Sequence, residues 1–267
     1  MDEIRIKNLR TLSDTGYVKL KKINVLLGRN SSGKSTLARV FPLLKQGAKL
    51  KSKSGILWYG SDVDFGSYHN AKSRSSKDSD AISFTFVKNS LNIAPHSLYF
   101  QSKQKRIQQP NSRLRRVEVT AEIFEDEKKT AIYELKIGTC TARFSMRGMI
   151  SAKFSISGVD LSIAAQKVVY LYRHSGLLPD IYPVDRANLK LVNQSVFTTL
   201  LKAFSLDARS IALEQLDELP INILYNRVLI ARRLGISSAD LTKNFVSFLR
   251  AYVMWRDFPL IWETMRD

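Results

Sequence analysis

Gly28, Gly33, Lys34 and Ser35 fall at the spacing G-x-x-x-x-G-K-[ST] within GRNSSGKST. That spacing suits phosphate chemistry. The glycines let the loop curl so that successive backbone N–H groups point inward, and the start of the following helix adds its positive dipole end. Lys34 is then placed to reach the β- and γ-phosphates as the catalytic residue, and the Ser35 hydroxyl to ligate Mg²⁺. Arg29, Asn30, Ser31 and Ser32 fill the variable positions and Thr36 follows, so the candidate site is Gly28 to Thr36 with ATP and Mg²⁺ as its cofactors. The plain alternative is a Gly/Ser-rich turn with a solvated lysine. The order strand, loop, helix argues against it, because the mechanism requires that order.

The positioning elements follow from periodicity. IRIKNL and YVKL alternate as strands do, while the nearly continuous run Ile23 to Leu27 predicts a buried central strand feeding the loop. Lys34 to Leu44 predicts a helix with Leu37, Val40, Phe41 and Leu44 on one face, kinked or ended at Pro42. KQGAKLKSKS, residues 45–54, reads as an exposed loop, and residues 55–72 as a short hairpin with Asp62, Asp64 and Ser67 in turns. From about residue 82 to 172 the period is two in several pieces, VVYLY being the last, which predicts an antiparallel β-meander. Beyond about Asn193 helical spacing takes over, with helices near 193–204, 208–218, 221–233 and 238–256. The fold class is therefore α/β: a P-loop NTPase lobe over 1–190 with a mixed sheet and the meander, then an α-helical subdomain over 191–267. An apolar stripe there, Phe245, Phe248, Tyr252 and Trp255, reads first as core, with a docking face for an oligomer or effector as the alternative.

Lys plus Arg number 42 and Asp plus Glu 24, a net charge of +18, which favours a polyanionic partner. One segment concentrates it: between two early meander strands, Lys103, Lys105, Arg106, Arg113, Arg115 and Arg116 meet no acidic neighbour. They are candidates for DNA or RNA backbone contact, weighed against a solvated loop; without a run of aromatics there is no stacking platform for bases. A single cysteine, Cys140, excludes an internal disulfide, and the charged N-terminus and lack of long apolar runs predict a cytoplasmic chain with no membrane segment. His69, His96 and His174 lack metal-spaced partners, and Asp62, Asp64, Glu125 and Asp126 sit in turn-like surroundings.

Together, IRIKNLRTL, INVLLGRNSSGKSTLARVFPLL and LWYGSDVDFGS resemble the opening of the ABC-type ATPase heads of the RecF, SMC and OLD group. The nearest resemblance is to the OLD-like AAA ATPases of bacterial anti-phage defence, such as the PtuA component of Septu and retron systems. It covers about residues 1–70 by motif and the remainder by pattern. It implies an N-terminal lobe with a mixed sheet, a helical insertion, Asn8 and Arg10 near the nucleotide, head-to-head dimerisation, and a nuclease or effector partner.

The sequence departs from that group in lacking an LSGGQ-like signature, a switch histidine and an apolar strand ending in Asp-Glu. LDEL at Leu216 to Leu219 has the acids but lies in a helical pattern. Two functions stay open: the ATPase component of a DNA-directed, anti-phage complex whose remaining catalytic elements lie outside this chain, or a non-hydrolysing, nucleotide-held scaffold for nucleic acid or a nuclease. A small-molecule kinase fits less well, since those enzymes use a parallel sheet.

Overall fold

The computed structural model describes residues 1–49, 56–93, 112–125, 130–147, 150–168, 170–173, 176–183, 189–207, 213–217, 219 and 221–266. Period-two patterning becomes one nine-stranded sheet. β1 (Glu3–Leu9) pairs along one edge with β2 (Leu12–Asp14) and β3 (Val18–Lys19), and along the other with β4 (Ile82–Ile93). The order then runs β5 (Ser112–Ile123), β6 (Thr130–Ile137), β7 (Cys140–Arg147), β8 (Ile150–Ile156) and β9 (Val159–Asp160). Every one of these pairs is antiparallel, so the meander expected from the alternation is present. VVYLY falls outside it: β10 (Tyr170–Arg173) pairs with β11 (Asp180–Pro183) in a separate two-stranded sheet.

The registers align one apolar row across the sheet, Ile6, Phe84, Ala121, Tyr133, Phe144 and Phe154, all buried. The opposite face carries Arg5, Thr85, Thr120, Glu134 and Arg143 on the same strands. This is the alternation of a sheet with one face on a core and one in water.

The core face is covered by α7 (Lys243–Arg266), apolar on every side. Thr242 caps it, its Oγ1 accepting from the Phe245 amide at 3.1 Å. Phe258 and Trp262 lie edge-on to Phe144 at 5.8 and 5.0 Å between ring centroids, and Trp255 to Phe154 at 5.5 Å. On its far side α7 meets α4 (Leu189–Ala203), where Phe197 lies 5.6 Å from Phe248 and the Trp255 indole donates to Asn193 Oδ1 at 2.9 Å. Such a helix is a core element rather than a surface one. Phe245, Phe248, Tyr252 and Trp255 are thus core rather than a docking face, and one hydrophobic core runs across the expected boundary at residue 190.

The shorter helices are α2 (Tyr68–Ala71), α3 (Ser162–Val168), α5 (Leu213–Asp217) and α6 (Arg227–Leu234), with a 3-10 turn at Ile221–Tyr225. α6 starts on Asn226, whose side chain accepts from the Leu229 amide, and stops at Gly235, with φ +66°.

Candidate nucleotide-binding site

α1 spans Lys34–Lys49 and continues through Pro42, where a kink or stop was expected. Buried Val40, Leu43 and Gln46 anchor it on both sides of the proline, and this packing outweighs the one backbone donor that proline removes. Residues 45–49 are therefore helix, where a loop was expected.

Gln46 is the deepest polar anchor of α1, 1% exposed. Its Nε2 donates to the carbonyls of Leu57 (2.6 Å) and Val63 (2.9 Å), while its Oε1 accepts from the Val63 amide (2.9 Å). That amide holds the turn at 58–65, in which Tyr59 bridges Asp64 and Phe65 N donates to Trp58 O. Asp64 accepts from Gly66 N at 2.6 Å and Ser67 caps α2, so these residues are turn chemistry as expected. The sequence signal for Gln46 is its place three residues after Leu43 on the buried face, where an amide must find partners.

At the other end of α1 the loop takes the backbone angles its glycines permit. Gly28, Ser31 and Gly33 have φ of +153°, +62° and +91°. A Cβ on Gly33 would come within 2.5 Å of Leu12 Cδ2 and 3.0 Å of Thr11 Oγ1, so those side chains would have to shift, and the angle itself favours glycine. The turn between β1 and β2 thus braces the loop, and Thr11 and Leu12 are supporting residues that motif reasoning does not reveal. Asn8 (φ +58°) and Arg10 (φ +54°) shape that turn. Asn8 Nδ2 donates to Ala81 O at 2.8 Å, Arg10 N donates to Ala71 O at 2.7 Å, and the Arg10 guanidinium covers the Phe65 ring at 5.3 Å.

Lys34 Nζ donates to the carbonyls of Gly28 at 2.7 Å and Arg29 at 2.6 Å. An ammonium has three donors, so one remains for an incoming oxyanion while the loop stays closed on itself. Arg29, Asn30, Ser31, Ser32 and Ser35 are exposed and Thr36 is half-buried. The first turn of α1 holds no acidic residue, so its positive end is not neutralised from within. Positive-φ loop geometry, a helix start and a cation together fit a polyphosphate, with Ser35 at the surface where a Mg²⁺ ligand belongs.

Ile23 to Leu27, expected as a buried strand, are instead exposed and outside the sheet. An apolar run is buried only where other strands flank it, and here β1 spends both edges on β2, β3 and β4.

Arg113, Arg115 and Arg116 belong to β5 rather than to a loop, while Lys103, Lys105 and Arg106 lie outside the described residues. The Arg116 charge is answered by Glu118 at 2.9 Å and Glu3 at 3.3 Å, and its guanidinium lies 4.9 Å from the Tyr17 ring. Asp217 ends α5, and the Leu216 and Leu219 carbonyls accept from Arg256 at 2.8 and 2.6 Å, so this segment is helical packing. His69 lies in α2 beside Tyr68; His96, His174 and Asp126 lie outside the described residues. No group of three or more His, Cys, Asp or Glu that could hold a metal occurs among the described residues. Burial pushes the Cys140 thiol up to about 11, so it is protonated and inert at neutral pH. Among the described residues no helix is long and apolar enough to cross a membrane.

A family model described as an AAA ATPase domain matches residues 1–156, from β1 through the loop to the end of β8. No curated protein matches the chain. No solved structure matches it.

Proposed function

We propose, from the premise that the chain belongs to the AAA ATPase domain family, that it binds ATP with Mg²⁺ through Gly28 to Thr36 and uses nucleotide state to control a DNA-directed, anti-phage complex. The observation that carries the nucleotide part is Lys34, held over the loop carbonyls at a helix start free of acids. Lys34 would bind the β- and γ-phosphates, Ser35 would hold the metal, and the backbone of Arg29 to Gly33 would enclose the phosphate chain. Bound Mg²⁺ supplies neutralisation of the phosphate charge. The chain's own residues close and orient the site.

A second reading is favoured by a separate observation. No carboxylate is recorded against Lys34 or Ser35 among the described residues, and Asp217 lies in a helix. Turnover needs a carboxylate on the metal and a group that positions water, so on this reading the chain is a nucleotide-held scaffold, those groups coming from a longer natural chain or a partner. The basic residues Lys103 to Arg116 and a nuclease partner belong to the same proposal, as does a head-to-head dimer.

The test is ATP titration and phosphate release with the wild-type chain and Lys34→Ala. Binding is expected in the wild type and lost in Lys34→Ala at unchanged melting temperature; equal affinity in the variant would overturn the site. Phage plating on cells expressing either version tests the defence role, which falls if neither reduces plaque number.

A further inference from the structure

The stretch of chain that follows β1 carries a bulge, and the bulge turns two side chains onto one face. Lys7 lies opposite Asp14 whereas Ile4 lies opposite Val18, so one extra residue is taken up between the two pairs. Gly16, with φ +61°, sits there. Asp14 and Tyr17, three residues apart, therefore both look out on the polar face of the sheet, where strict alternation would send them to opposite faces. Asp14 takes the Arg5 guanidinium, accepting from its Nε at 2.8 Å. The Tyr17 ring has two guanidiniums against it, Arg5 at 5.3 Å and Arg116 at 4.9 Å, and its hydroxyl donates to Glu118 Oε2 at 2.8 Å. Glu118 lies on β5, so Tyr17 reaches over both β1 and β4. Ordinary cross-strand pairs join neighbours. The far end of this contact is itself fixed: Arg116 holds a φ of +39° within β5 and is gripped by Glu118 at 2.9 Å and by buried Glu3 at 3.3 Å. A bulky residue persists at such an angle only where its surroundings over-determine it.

We infer that Tyr17 is a positioning residue for the phosphate loop, pinning to β5 the hairpin whose turn braces Gly33. The backbone holds that hairpin weakly. β2 and β3 pair with β1 at four positions, and no strand lies on their outer edge among the described residues. Short edge strands of this kind open at low cost. At one end of the hairpin Thr11 and Leu12 rest against Gly33; at the other, Leu20 N donates to Asp2 O before the chain turns back toward the loop. Tyr17 ties the middle of that span to β5, a strand paired along both of its edges, and so steadies both ends. A brace that is already rigid lowers the ordering cost when a phosphate chain enters. The effect on ATP rests on the nucleotide-binding reading of Gly28 to Thr36, whereas the pinning of the loop does not.

A double-mutant cycle on the full chain tests this, with melting temperature as the folding check. Wild type, Tyr17→Ala, Leu12→Ala and the double variant are compared by ATP titration and by the amide order parameter of Gly33 in the nucleotide-free chain. Tyr17→Ala is expected to lower that order parameter and to weaken ATP roughly three- to tenfold, and the double variant to lose no more than Leu12→Ala alone, because both changes remove one brace. Tyr17→Phe keeps the ring against both guanidiniums and recovers part of the loss. A merely structural tyrosine would lower the melting temperature and leave Gly33 unmoved. An unchanged order parameter, an ATP affinity equal to that of a wild type that binds, or additive losses in the double variant overturns the proposal. Lys34→Ala keeps the two readings apart: if wild type binds ATP no better than Lys34→Ala while Gly33 still loosens in Tyr17→Ala, the nucleotide reading falls and the positioning of the loop stands.

Discussion

Gln46 and Val63 form a closed amide pair: the side chain of one accepts from the backbone N–H of the other at 2.9 Å and donates to its carbonyl at 2.9 Å. Helix α1 is thereby tied to a turn that the chain reaches only later. Removing the amide strands buried groups on the turn. Gln46→Leu keeps the volume and is expected to cost about 3 kcal/mol, read as a lower urea midpoint at unchanged slope. A midpoint equal to wild type would show that the pair holds nothing.

Gly33 sets the loop against the β1–β2 turn. Gly33→Ala must place a Cβ against Leu12 at a φ of +91°, so the Leu12 side chain has to shift and the loop backbone is strained. ATP affinity is expected to fall at least tenfold while far-ultraviolet circular dichroism stays unchanged, because the strain is local. Leu12→Ala in the same chain opens space on that side and recovers part of the affinity; no recovery would place the damage elsewhere.

Phe248 is fully buried between α4 and the rest of α7. Phe248→Ala is expected to cost about 3–5 kcal/mol of stability by leaving a cavity. Thermal or urea unfolding reads this directly. A variant of wild-type stability with altered assembly size would restore the docking role the apolar spacing suggested.

Among the described residues, three carboxyls lie below the usual range in the folded chain. Asp14 is held down first by its hydrogen bond to Arg5, Glu3 by Asn89 and then Arg116, and Asp160 by Ser162. Their unfolded counterparts take up protons near pH 4, so their contribution to stability is complete above about pH 5 and is lost as pH falls through the folded values. Melting temperature is expected to stay level down to about pH 5 and decline below pH 4. Asp14→Asn makes that decline shallower; an unchanged acid limb would mean the Arg5 contact adds nothing, as an exposed pair easily can.

The loop was legible because Gly28, Gly33, Lys34 and Ser35 combine a fixed spacing with one local mechanism. The meander was legible because alternation encodes which face of a strand is wet, as in Thr130 to Ile137. Ile23 to Leu27 was misread for a physical reason: apolarity states that a segment wants a cover, and only the tertiary arrangement states whether one is present. The core reading of Phe245, Phe248, Tyr252 and Trp255 holds, but the apolar spacing of one face does not reveal that buried residues occur all round α7. Thr11, Leu12 and Gln46 left no motif, since bracing depends on where distant turns land.

The central place of α7 has a consequence for how the chain comes into being. Its partners on β4, β7 and β8 and on α4 are all made earlier in synthesis. The aromatic row on the sheet therefore emerges from the ribosome long before the helix that covers it. Until residues 243–266 follow, the nascent meander presents Tyr133, Phe144 and Phe154 to water, and closing that gap waits on contacts of long sequence separation. A stalled or slowly translated chain would spend that interval as a client of chaperones, and synthesis rate becomes a determinant of yield.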